Sequence, residues 1–76
     1  MKKTTVALQA INDVKDFVNI VSKFDYEVDL VAGRYSIDAK SIMGIFSLDL
    51  SKPIDVIAHS DDTDDLFKAI DKFIIK

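Results

Sequence analysis

Four short stretches of this chain repeat their apolar residues at every second position, and three others at every third or fourth. This switching of period constrains the fold more than any other feature, because period two marks a strand with one buried face and a period near 3.6 marks a helix with one buried stripe. Residues 2–9 alternate, with Thr4, Val6 and Leu8 on one face and Thr5, Ala7 and Gln9 on the other. Asn12 or Asp13 then offers an N-cap, and Val14, Phe17, Val18, Val21 and Phe24 follow at helical spacing, predicting a first helix to about Phe24. Tyr26, Val28 and Leu30 form a second alternating run, and Tyr35, Ile37 and Ala39 a third. The tight turn at Ala32-Gly33, where glycine accepts positive φ, makes these two a hairpin with apolar residues inward and charges outward.

Ser41 is placed to cap a short second helix from Ile42 to about Leu50, which Lys52-Pro53 ends. Ile54, Val56 and Ala58 face inward from a fourth strand over residues 54–59, leaving Asp55, Ile57 and His59 outward. The acidic run Asp61, Asp62, Asp64 and Asp65 opens the last helix, at the end where carboxylates suit the helix dipole. Leu66, Phe67, Ile70, Phe73 and Ile74 form its apolar stripe. The order is β-α-β-β-α-β-α. Since every strand has one apolar face and every helix one stripe, the economical packing is an α+β arrangement: one antiparallel sheet with three helices on a single side.

Composition bounds the function. The 76 residues suffice for one domain over 1–76, and a chain of this length buries only about 60% of the surface its unfolded form exposes. No cysteine is present, so neither a disulfide nor a thiolate is available. The ten Lys and Arg residues are scattered among thirteen acids for a net charge of −3, which argues against a nucleic-acid partner. The two lysines at the start are followed by no apolar run of signal-peptide length, and no stretch is long enough to span a bilayer. A cytoplasmic protein without a membrane partner is therefore expected.

The segment Lys40-Ser41-Ile42-Met43-Gly44-Ile45-Phe46-Ser47-Leu48 resembles the stretch around the regulatory serine of Gram-positive HPr proteins, which typically read Lys-Ser-Ile-Met-Gly followed by apolar residues and Ser-Leu. Ser22-Lys23-Phe24-Asp25 and the Gly33 hairpin are similar to the family too, so that the likeness covers roughly residues 22–75. It implies an HPr-like open-faced β-sandwich with strand order 1-4-2-3. It also implies that Ser41 is a site of regulatory phosphorylation and that Ile42, Met43 and Phe46 form an apolar docking surface. The implied partners are proteins, an HPr kinase-like enzyme or a transcriptional regulator; no cofactor is implied.

The departure lies before the first helix. HPr proteins carry phosphate there on the histidine of a His-x-Arg-Pro motif, the histidine capping the helix and the arginine holding the phosphoryl group. Here the stretch is Gln9-Ala10-Ile11-Asn12-Asp13. Counted back without gaps from Ser22-Lys23, the histidine position is Ala10, and Asn12 and Asp13 stand for the arginine and proline. With a gap, Leu8-Gln9-Ala10 is similar to the Leu-Gln-Ala of the catabolite-repression HPr homologue, whose glutamine replaces the histidine. Either way the expectation is a non-catalytic, regulatory or binding member of the family, against two alternatives: a phosphocarrier of the phosphoenolpyruvate-dependent sugar phosphotransferase system, and an orphan interaction domain. A monomer is one expected state. A dimer swapped about the short Leu8–Asn12 connection is the other.

Two further features read blandly. His59 is the chain's one histidine, on the outer face of the fourth strand and followed by Ser60, Asp61 and Asp62, which would repel a phosphoryl group. The acidic run of residues 61–65 lacks the glycine and the distal glutamate of a calcium loop, so no metal site is expected. In Ser41, by contrast, capping and phosphorylation are compatible, because a phosphate at a helix N-terminus meets free N–H groups. Exposed Met and Phe would suit docking, whereas a second helix buried all round would not.

Overall fold

The computed structural model describes residues 2–75. Its strands are β1 (Lys2–Val6), β2 (Val28–Ala32), β3 (Tyr35–Asp38) and β4 (Ile54–Ala58); its helices are α1 (Ile11–Val21), α2 (Ile42–Phe46) and α3 (Asp64–Ala69), with a 3-10 turn at Asp71–Phe73. The four strands form one sheet in the order β1-β4-β2-β3, and every neighbouring pair is antiparallel. The predicted architecture, with all three helices on one side, is the observed one.

Register explains why the core closes. Thr4 stands opposite Val56, Val56 opposite Leu30, and Leu30 opposite Ile37, so one row crosses all four strands. Val56 and Leu30 at its centre are fully buried. Against this face α1 packs Val14, Phe17 and Val21, α2 packs Ile45, and α3 packs Leu66, all within one core. Phe17 meets Phe73 edge to face with ring centroids 5.9 Å apart, tying α1 to the C-terminal segment. The hairpin turn is the two-residue Gly33-Arg34 loop between paired Ala32 and Tyr35. Gly33 has φ +61° and Arg34 does not have a positive φ, the pattern of a type II′ turn.

Several ends differ from the sequence expectation, each for a local reason. Strand β1 stops at Val6, although Leu8 beyond it is still buried. Helix α1 ends at Val21, not Phe24, because the amides of Lys23 and Phe24 turn back to Ile20 and Val21 in tighter i→i+3 bonds. Phe24 then packs on Tyr26, which precedes β2, with centroids 5.8 Å apart. Helix α2 ends at Phe46 because Ser47 and Leu48 donate to Gly44 and Ile45 in the same manner, and the Ser47 hydroxyl also bonds the Gly44 carbonyl. Tyr35, which shares an open cleft with the residues just after α2, is 70% exposed, not inward and buried as its spacing predicts. Helix α3 begins at Asp64 after Thr63, so Asp61 and Asp62 precede it. It breaks at Ile70 rather than running to Ile74, because the last residues pair with β1: the Ala7 amide donates to Phe73 and the Ile75 amide to Thr5, each at 2.9 Å.

Candidate functional site

Helix α2 is built to present its first turn. Ser41 is its N-cap, as predicted, in an extended conformation with φ −99° and ψ 102°, and its Oγ accepts the Gly44 amide at 3.2 Å. That bond uses one acceptor position of an exposed hydroxyl. Gly44 is needed for closeness: a Cβ there would lie 3.2 Å from Ser41 Oγ and 3.3 Å from Ile37 Cδ1, so glycine lets the helix sit down on β3. Ile45 anchors the helix in the core. The three residues expected as a docking surface then divide. Met43 is 76% exposed and Phe46 38%, whereas Ile42 is half-buried and packs against the core.

Lys40 has a role that pattern reading missed. Its Nζ donates to the Phe24 carbonyl at 2.7 Å, and its backbone amide to Asp38 Oδ1 at 2.8 Å. The lysine thus ties the chain after α1 to the residue just before Ser41. Its place in the Lys40–Leu48 motif was the available signal, but a contact sixteen residues away is not readable from local spacing. Beyond α2, the Asp49 carboxyl accepts from the Ser51 hydroxyl and amide, and these bonds, with Lys52 nearby, hold it below the usual carboxylate range.

The start of α1 is differently made. The N-cap is Ala10, at φ −125° and ψ 160°, and not Asn12 or Asp13. Alanine has no side-chain acceptor. Asp13 works from inside the helix instead, its Oδ2 accepting the amides of Gln9 at 3.2 Å and Ala10 at 3.3 Å, which is the return half of a capping box. Gln9, Ala10 and Ile11 are exposed, Ile11 by 64%. Neither Gln9 nor Ala10 carries a nucleophilic ring nitrogen, and the Asp13 carboxylate holds the two amides just before the helix while the helix itself has no side-chain cap.

His59 lies on the outer face of the sheet, as expected. Its Nε2 is 2.7 Å from Asp29 Oδ2, and its amide donates to the Glu27 carbonyl. Farther along that face Lys3 pairs with Asp55 at 3.4 Å. The ring is held by Asp29 on the face of the sheet opposite the helices. Among the described residues no group of His, Asp and Glu is arranged to hold a metal ion, and no helix is long and apolar enough to cross a membrane.

A 1-4-2-3 antiparallel sheet under three helices, with a serine-capped second helix, defines the class of open-faced sandwiches that phosphocarrier proteins use. The family model for the phosphotransferase-system HPr component phosphorylation site matches residues 7–76, and the chain belongs to the HPr family. Similar solved structures agree. HPr-C-His from Thermoanaerobacter tengcongensis is 29% identical, with a TM-score of 0.80 over 95% of this chain and 89% of its own. The histidine-containing phosphocarrier protein of Mycoplasma, at 19% identity, has a TM-score of 0.76 over 93% and 89%. The phosphocarrier protein HPr of Bacillus anthracis, at 22% identity, has 0.73 over 97% and 94%. These last two share the fold. No protein of curated function matches the chain.

Proposed function

We propose that this HPr-family protein is a regulatory binding module of the sugar phosphotransferase system and not a phosphocarrier, switched by phosphorylation at Ser41. The observation that carries the reading is the pairing of an exposed Ser41 hydroxyl with Met43, 76% exposed, in the same helical turn. A kinase can reach the hydroxyl, and a partner can read the side chains beside it. A phosphate on Ser41 would keep an acceptor for the Gly44 amide while adding nearly two negative charges at the edge of the apolar patch. Partners that favour an apolar surface would then be lost and partners with a basic rim gained. In this reading Met43 and Phe46 supply the contact area and Ile42 supports them from below. The partners are an HPr kinase-like enzyme and a transcriptional regulator, and the setting is cytoplasmic.

The same reading assigns the family's histidine position to Ala10, or to Gln9 if the connection carries a gap. Ala10 as the N-cap supports the first assignment, because the family histidine caps the same helix. An alanine there leaves nothing to accept a phosphoryl group, and the Asp13 carboxylate beside it repels one.

Intact mass after incubation with ATP and a Gram-positive HPr kinase tests the switch, with Ser41→Ala as control. One added phosphate, absent from the control, is expected. An unmodified wild-type chain would leave Ser41 as a cap only and make the protein an orphan interaction domain. The phosphocarrier alternative, favoured by the description of the matched family model, would require phosphate to arrive from phosphoenolpyruvate through the general phosphotransferase. The same mass measurement with those components is expected to show none. Light scattering separates the monomer of this reading from a dimer swapped about Leu8–Asn12 by its concentration dependence.

A further inference from the structure

The early end of α2 has a second consequence. Tyr35 points to the same side of β3 as Ile37 and Ala39, which are half-buried and fully buried, yet its own ring is 70% exposed. The chain turns away at Ser47, and between the loop after α2 and the β2–β3 hairpin lies a cleft of about 360 Å³. Leu48 and Pro53 line it together with Tyr35. A Cβ on Gly33, at the hairpin end of the cleft, would meet nothing within 4 Å, so the space over the turn is open.

The charges of this cleft run against those of the molecule. The chain as a whole carries −3, but Arg34 and Lys52 line the cleft against a single acid, Asp49. Asp49 is already occupied by the Ser51 hydroxyl and amide. Arg34 forms no ion pair among the described residues. A flat aromatic face, two aliphatic walls and an available guanidinium are the parts that bind a ring through stacking and burial and an anionic substituent through charge-assisted hydrogen bonds. The volume is at the low end for ligand sites, roughly 300–1,000 Å³, which suits one ring with one anionic group.

We propose that the cleft between the β2–β3 hairpin and the loop after α2 binds a small aromatic anion, its ring against Tyr35, Leu48 and Pro53 and its charge on Arg34 and Lys52. This site is separate from Ser41 and does not depend on the phosphorylation reading.

Phenyl phosphate is the probe, titrated into the isotope-labelled full chain and followed by backbone amide shifts. Saturable shifts are expected at Gly33, Arg34, Tyr35 and at Leu48 to Lys52. Inorganic phosphate, which lacks the ring, and phenol, which lacks the charge, should each bind more weakly at the same amides. Arg34→Ala should weaken phenyl phosphate about tenfold, the effect of losing one charge-assisted contact. Tyr35→Ala should weaken phenyl phosphate and leave inorganic phosphate unchanged. Both side chains are exposed, so the variants keep the fold, which their amide dispersion reports directly. Ser41→Ala should bind as the wild type does. Absence of saturable shifts at these amides, equal affinity for phosphate and phenyl phosphate, or an Arg34→Ala variant that binds unchanged would each overturn the site.

Discussion

The starts of α1 and α2 solve one problem in opposite ways. Each helix must satisfy the free amides of its first turn. Helix α1 has eleven residues and three fully buried anchors, Val14, Phe17 and Val21, and it begins at an alanine that can cap nothing; Asp13 reaches back to the amides of Gln9 and Ala10, before the helix, and leaves those of the first turn without a side-chain cap. Helix α2 has five residues and one buried anchor, Ile45, and begins at a serine whose own hydroxyl caps it. Tertiary packing holds the long helix whatever its cap, while the short one is too brief to persist without local help. In the family to which the chain belongs, a functional histidine caps the first helix. In this chain the start of α1 exposes Gln9, Ala10 and Ile11, whereas Ser41, Met43 and Phe46 are exposed at α2.

Substitutions can break or sharpen this contrast. The largest effect is expected from removing anchors. Phe17→Ala should destabilise the chain by about 3–5 kcal/mol, through lost burial and a cavity beside Phe73, and Ile45→Ala by about 2–4 kcal/mol. Urea unfolding followed by circular dichroism measures both. If Ile45→Ala exceeded Phe17→Ala, the view that α1 rests on packing more than α2 would be wrong.

Cap removal comes next. Ser41→Ala should cost about 1 kcal/mol, because the Gly44 amide loses its acceptor. Asp13→Ala should cost less, about 0.5 kcal/mol, since its two amides are exposed and water replaces the carboxylate. Amide hydrogen exchange at Gly44 and at Ala10 would localise each loss. The reverse change is as informative: Ala10→Ser should stabilise the chain by about 0.5–1 kcal/mol and raise its melting temperature, as it supplies the cap that α1 lacks.

The smallest effect on stability, within about 0.5 kcal/mol, is expected from Met43→Glu, because that side chain is out in solvent. The same change should abolish capture by a kinase or regulator that docks on α2. A folded variant that still docks would remove Met43 from the proposed surface.

Much of this is legible in the sequence alone. The alternation of Ile54, Val56 and Ala58 set their burial, and Ser41 caps α2 where the motif put it. The likeness around Lys40–Leu48 gave the strand order, which alternation alone does not encode. What local patterns misjudged were ends. Phe24, Leu50 and Ile74 all continue helical spacing, yet each lies outside a helix, because backbone amides found closer partners at i−3 or across in β1. Asp13 was read as a cap candidate from its type; its actual work, accepting amides from the third helical position, depends on where the chain leaves β1.

The sequence by itself determined which faces are apolar, how many elements alternate and where serine, glycine and proline punctuate them, because these follow from side-chain chemistry and period. Only the tertiary structure decided which residues on those faces stay uncovered. Ile42 and Met43 are neighbours of similar hydrophobicity, but one packs on the core and the other stands in solvent. Tyr35 and Ile37 share one face of β3, but Ile37 meets Gly44 of α2 while Tyr35 stays 70% exposed. Exposure depends on where a neighbouring element stops, and a chain's own pattern does not contain the length of the element that will lie across it.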